Sequence, residues 1–158
     1  MQIGQSMKKD IVTAPVTATV ADAANLFRAH HIGILPVVDD AGYLVGILTL
    51  HNLLHIILPA FVDLIDDFDY VGDFGAMEER EPAQEELDQP IVDVMEAPTS
   101  VQEDSGLVRA FAFIHKDHLL DLPVVNRDGK VVGLVSRVDI GRALLATWWQ
   151  GASDNQSH

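Results

Sequence analysis

A fifteen-residue stretch occurs twice in this chain. "LPVVDDAGYLVGILT" at 35–49 returns as "LPVVNRDGKVVGLVS" at 122–136, an offset of 87 residues. The correspondence extends upstream, with Ala23 falling on Ala110, His31 on His118 and Thr13 on Ser100, while Met7 meets Met95 one residue out of step. A chain made of two like units has two like hydrophobic faces to bury, and packing one copy on the other hides both. One unit spans 7–58 and the other 91–147, separated by an insert at 59–90 and followed by a polar tail at 148–158.

Both copies follow one grammar. A short β-type segment (11–14; 99–101) precedes a helix whose apolar residues, Val20, Ala23, Ala24 and Phe27 or Leu107, Ala110, Phe111 and Ile114, recur at the spacing of one buried face. Apolar runs at 35–38 and 122–125, the turns "DDAG" and "NRDG", and second runs at 43–48 and 130–135 read as hairpins with glycine in the turn. A closing helix follows each (50–58; 137–146). The expected class is α+β, two β-α-β-β-α units packed with pseudo-twofold symmetry, each too small to cover its own sheet.

Composition then narrows the function. With 48% apolar residues the chain can bury a core, and with no cysteine it has no disulfide, thiolate nucleophile or Cys-based zinc site. The formal charge of −14 argues against nucleic acid, whose phosphates would be repelled. That charge is uneven: residues 1–105 carry a net −15 and residues 106–158 a net +1, so an anionic ligand should prefer the second half. The N-terminus has no apolar stretch of signal-peptide length, and the longest apolar run, around "LLHIILPAFV", is too short to cross a bilayer, which leads to the expectation of a cytoplasmic protein with no membrane insertion.

Ser136 and Asp139 close the second repeat as Ser-x-x-Asp before an apolar helix. This spacing suits a capping box, in which each side chain satisfies a free amide of the first turn. A ligand role is open beside it, because the exposed amides and dipole of a helix start attract phosphate. Both readings stand on the sequence, and they are compatible.

The residues Leu35-Pro36-Val37-Val38, Gly42, Gly46 and Thr49, repeated as Leu122-Pro123-Val124-Val125, Gly129, Gly133, Ser136 and Asp139, make the chain resemble a tandem pair of CBS domains, the regulatory module named after cystathionine β-synthase. The likeness covers most of the chain outside 59–90 and the tail. It implies pseudo-twofold pairs that form homodimers and bind adenosine-containing ligands between the copies. Gly133 to Asp139 matches the family pattern Gly-x-x-(Ser/Thr)-x-x-Asp, which implies that Asp139 holds the ribose hydroxyls. The resemblance further implies that Ser100, Val101 and Asp121 face the base, with Leu122 and Val101 as apolar walls. Arg137 is a candidate phosphate partner, ahead of Arg109, Arg127 and Lys130.

The first copy departs from that pattern. Asn52 stands where the second copy has Asp139, and Leu50 where it has Arg137. An amide offers one acceptor oxygen and no charge. The expectation is one good site from the second copy and a weakened one from the first, around Thr13, Ala14, Ile34, Thr49 and Asn52.

The insert holds 11 acids and one arginine. Pro59 can open a helix lined by Phe61, Val62, Ile65 and Phe68, while "EEREPAQEELDQP" lacks an apolar stripe and reads as a linker. Asp67, Asp69, Gly72 and Glu78 fall at EF-hand positions, but Val71 occupies a ligand position and Pro82 blocks the exiting helix, which disfavours calcium. His51 and His55, or His115 and His118, share helix faces without the Glu of a zinc-protease motif, so no metal is expected; the alignment of His31 with His118 suggests an architectural position. No GxSxG elbow, Walker loop or dinucleotide fingerprint occurs.

The sequence therefore points to a non-enzymatic regulatory module with no required cofactor. It would sense AMP, ADP, ATP or S-adenosylmethionine and act on an effector protein whose identity the sequence does not give. The alternatives are a dimerisation or scaffolding part with an empty cleft, and a nucleotide-processing enzyme built from the histidines and acids.

Overall fold

The computed structural model describes residues 1–57 and 81–153. The expected Pro59 helix and the disfavoured calcium loop at 67–78 lie outside the described residues. Each repeat forms a three-stranded sheet. In the first, β1 (Ala14–Pro15) runs parallel to β2 (Ile34–Val38), which pairs antiparallel with β3 (Leu44–Thr49). In the second, β4 (Val101–Gln102), β5 (Asp121–Val125) and β6 (Val131–Ser136) repeat that order. Even the irregularity repeats, with a register shift at Val37/Val38 and at Val124/Val125.

The turns obey the sequence. Gly42 and Gly129 adopt φ of 87° and 89°, where a side chain would be strained. Asp39 and Asn126 each accept two backbone N–H bonds through Oδ1, from Ala41 and Tyr43 and from Asp128 and Lys130 respectively. The two hairpin turns also join each other: Val131 donates its N–H to the Gly42 carbonyl at 3.1 Å, and the Lys130 ammonium lies 5.7 Å from the Tyr43 ring.

Helices α1 (Val20–Ala29) and α2 (Leu50–Ile57) accompany the first sheet, and α4 (Leu107–Lys116) and α5 (Arg137–Ser153) the second. Val20 and Ala23, and likewise Leu107, Ala110 and Ile114, are buried as their spacing predicts. Ala24 and Phe111 are exposed instead, because the stripe each helix buries is narrower than its apolar content. Between the repeats, α3 (Gln84–Leu87) is a single helical turn where a linker was expected. It is held by Glu86 Oε2 accepting the Ala83 N–H at 2.8 Å, and the following chain docks through the Val20 N–H on the Gln89 carbonyl at 2.9 Å. Helix α5 continues past 148 into the expected tail. Trp148 and Trp149 ride on it 69% and 68% exposed, so they do not seal the core.

The cores reveal what the repeat pattern concealed. Ile3 is buried with the second repeat, among Leu107, Ile114, Leu122 and Val124, whereas Ile91 is buried with the first, among Ala14, Leu35, Val37 and Leu48. Each unit's leading segment crosses to the other unit. Lys8 exchanges two backbone hydrogen bonds with Leu134 of β6, and Glu96 exchanges two with Ile47 of β3. Gly133 and Gly46 accommodate these crossings, since a β-carbon at either position would collide with the side chain of Met7 or Met95. Two glycines that the hairpin pattern leaves unexplained are thus fixed by close approach of backbone.

Candidate ligand clefts between the repeats

The loops before β2 and β5, the helix starts after β3 and β6, and the crossed-over segments meet at the interface between repeats and leave two cavities there. Cleft A, of about 370 Å³, is walled by Lys8, Asp10, Ile11, Val12 and the stretch His30–Ile34 from the first repeat, closed by Asp121 and Leu134 from the second. Cleft B, of about 470 Å³, takes Glu96 and the stretch Asp117–Asp121 from the second repeat, with Gly33, Ile34 and Thr49–His51 from the first. The two sets are counterparts: Glu96 answers Lys8, Asp117 and His118 answer His30 and His31, and Ile34 and Asp121 exchange roles. His118 has φ of 52°, an uncommon backbone state for a non-glycine residue, on the wall of cleft B.

The capping box expected at Ser136 and Asp139 is present, and the first copy has an equivalent box at Thr49 and Asn52. Ser136 donates from its N–H and from Oγ to Asp139 Oδ2, at 2.9 and 2.7 Å, and the Asp139 N–H donates back to Ser136 Oγ at 3.0 Å. In the first repeat, Thr49 donates from N–H and Oγ1 to Asn52 Oδ1, at 2.8 Å each, and the Asn52 N–H returns to Thr49 Oγ1 at 3.1 Å. Asparagine therefore reproduces the cap in full while lacking the charge. Asp139 commits Oδ2 to the helix, and no hydrogen bond to Oδ1 forms among the described residues.

Asp121 links this box to the clefts. It pairs with Ser136 across β5 and β6 and lines both cavities. Burial pushes its carboxyl above the ordinary value of 3.8; the Lys8 ammonium opposes the rise and the nearby Asp139 carboxylate adds to it.

The other sequence-predicted residues scatter. Ile34 and Thr49 line cleft B, and Asn52 lines an adjoining cavity with His51, His55 and Glu96. Ser136 and Asp139 adjoin the clefts through Asp121 and are not among the side chains that wall either one. Arg137 donates through Nη2 to the Leu119 carbonyl at 3.2 Å, bracing the loop of cleft B. Ser100 and Val101 border a separate cavity with Arg109 and Phe113, because β4 lies on the far side of β5 from β6. Leu122 is 0% exposed and belongs to the core, so it is not a cleft wall, and Ala14 is equally buried. Thr13 is half-buried beside cleft A without lining it.

The residues that sequence reasoning passed over are Lys8, Asp10, His30, Glu96 and Asp117. Lys8 and Glu96 reach the clefts through the crossing of segments, which no single repeat encodes, whereas His30 and Asp117 end α1 and α4 of their own repeats. His31 and His118 did carry a signal, since they align across the repeat; the structure puts both on cleft walls. Among the described residues no cluster of three or more metal-ligating side chains occurs, and no helix is long and apolar enough to cross a membrane.

Two sheets of matching topology, crossed leading segments and paired interfacial clefts define a tandem-repeat fold of the kind the sequence resembles. The chain belongs to the CBS domain family, whose model matches residues 2–59 and 91–146. It is 30% identical over 152 residues to the uncharacterized protein MJ1426 of Methanocaldococcus jannaschii, covering 87% of this chain and 90% of that one. The crystal structure of CBSX2 in complex with AMP superposes with a TM-score of 0.68 at 24% identity, covering 92% of this chain and 97% of the other. The CBS domain pair of protein MJ0100, in complex with 5-methylthioadenosine and S-adenosyl-L-methionine, gives a TM-score of 0.66 at 23% identity, covering 93% and 98%.

Proposed function

We propose that this chain is a regulatory module that binds an adenine nucleotide or related adenosyl ligand between its repeats and signals through conformation or assembly, without chemistry on the ligand. The observation that carries the reading is the box at Ser136 and Asp139. Its helix needs only Oδ2, as the neutral Asn52 box demonstrates, which leaves a charged Oδ1 for a ribose hydroxyl. CBSX2 and the MJ0100 domain pair, similar in fold, are known with AMP and with S-adenosylmethionine, which supports the same ligand class here. Asp121 contributes a polar group where the two clefts meet, Ser136 serves cap and ligand together, and Arg137 and Ser100 act outside the cavity walls. Of the first-repeat set, Thr49 and Asn52 shape the weaker site, with no carboxylate for the diol.

Signalling requires only that the ligand favour one arrangement of the repeats or of an assembly. Val108, Phe111, Val138 and Leu145 stand exposed on α4 and α5 with the two tryptophans, and this apolar surface suits a second copy of the chain or an effector protein. The same surface is what a purely scaffolding role would need. Calorimetry with AMP, ADP, ATP and S-adenosylmethionine separates the readings: saturable binding supports the sensor, and failure of all four leaves the scaffold. Product formation from any of them would establish the enzyme. Sedimentation velocity with and without ligand reports the homodimer, and localisation of a tagged chain tests the cytoplasmic assignment.

A further inference from the structure

Cleft A and cleft B share several equivalent positions, and one pair of these equivalents carries opposite charge. Lys8 and Glu96 are counterparts by backbone geometry as well as by alignment. Lys8 gives and takes hydrogen bonds with Leu134 at 2.7 and 2.9 Å, and Glu96 does so with Ile47 at 2.8 and 3.1 Å. Leu134 and Ile47 occupy matching places in β6 and β3. The two side chains therefore stand at the same point of the two cleft walls, both exposed. A second exchange has the same sense, because His30 in cleft A is answered by Asp117 in cleft B. Cleft A thus sets one lysine against two carboxylates, Asp10 and Asp121, whereas cleft B carries three carboxylates, Glu96, Asp117 and Asp121, and no lysine or arginine; each cleft has two histidines.

We infer that Lys8 and Glu96 sort ligands by charge, so that cleft A takes the phosphate-bearing adenosyl ligand and cleft B takes a cationic adenosyl ligand free of phosphate. This rests on the adenosyl reading above. A phosphate in cleft A meets the Lys8 ammonium, which offsets the carboxylates of Asp10 and Asp121. The same phosphate in cleft B meets Glu96, Asp117 and Asp121, a like-charge arrangement that rejects it. A sulfonium or an amino group finds the reverse. The repeat supplies two cavities at related places, and the crossed segments, which differ in sequence, help to make them chemically distinct.

The test uses the full chain, with AMP and S-adenosylmethionine as probes and adenosine as the uncharged control. The expected result is that both probes bind at once, one each per chain, without competing. Lys8→Glu and the milder Lys8→Gln should weaken AMP by about tenfold or more and leave S-adenosylmethionine unchanged. Glu96→Lys should weaken S-adenosylmethionine by a similar factor and admit a second AMP, while adenosine responds little to any of the three. Competition of the two probes for one site, or AMP affinity indifferent to Lys8, would overturn the charge sorting and leave the adenosyl reading intact. Absence of binding by all three compounds would overturn both.

Discussion

Lys8 and Leu134 exchange reciprocal backbone hydrogen bonds of 2.7 and 2.9 Å, so the chain's first residues extend the sheet of the second repeat rather than their own. Ile3 lies at the far end of that segment, fully buried in the second core, and the Ile3 N–H donates to the Ser105 carbonyl at 2.9 Å. Ile3→Ala should cost about 2 to 5 kcal/mol. Hydrogen exchange measured residue by residue should rise first in β6 and α4; acceleration confined to the first repeat would show that the segment does not support the second.

Gly133 faces a different constraint from the turn glycines. A β-carbon there would stand 2.7 Å from the Lys8 carbonyl oxygen and closer still to the Met7 sulfur. Backbone cannot yield as a flexible side chain does, so Gly133→Ala should destabilise by about 1 to 3 kcal/mol. Shortening the opposing side chain with Met7→Ala should recover only part of the loss in urea denaturation, because the carbonyl contact persists.

Cap and ligand roles at Asp139 separate through one substitution that the protein already uses at its equivalent position. Asp139→Asn should keep the unliganded melting temperature near wild type, since Asn52 makes the same three bonds. It should weaken an adenosine nucleotide by about tenfold or more through loss of a charge-assisted bond. Asp139→Ala should lose about 1 kcal/mol of stability as well. Unchanged nucleotide affinity in the asparagine variant would confine Asp139 to the cap.

Asp121 should give stability a pH dependence of definite sign. Its carboxyl is raised by burial first and by Asp139 second, against Lys8, so the folded chain keeps a proton that the unfolded chain has lost above its ordinary value of 3.8. Stability contributed by this group therefore falls as pH climbs from 3.8 through the folded value, and the penalty is complete above it. Asp121→Asn should be more stable than wild type at neutral pH, with the difference vanishing at low pH. A variant less stable at every pH would mean that the carboxylate makes a favourable contact.

Much of the fold was legible because it is local and written twice. The hairpins follow from β-branched runs around Gly42 and Gly129, and the caps from Ser136 and Thr49 with acceptors three residues on. Each of these depends on residues a few positions apart, where spacing and side-chain chemistry suffice. The single turn at Gln84–Leu87 and the extension of α5 through Trp148 were not legible. Neither shows an apolar stripe; the turn is held by its own side-chain bonds and by docking on α1.

The candidate site divides along the same line. The sequence alone determined that there are two like units, that they differ by Asp139 against Asn52, and that helix starts after β3 and β6 carry the acceptors. Only the tertiary structure decided that residues 1–8 and 91–96 change places between the units, which sets Lys8 and Glu96 at the clefts, and that Leu122 lies in the core while Ser100 and Val101 border a different cavity. The reason is physical. A repeat specifies its own sheet through neighbouring residues, but the edge of that sheet accepts any strand with free N–H and C=O groups, so which unit's segment lies there depends on packing between copies.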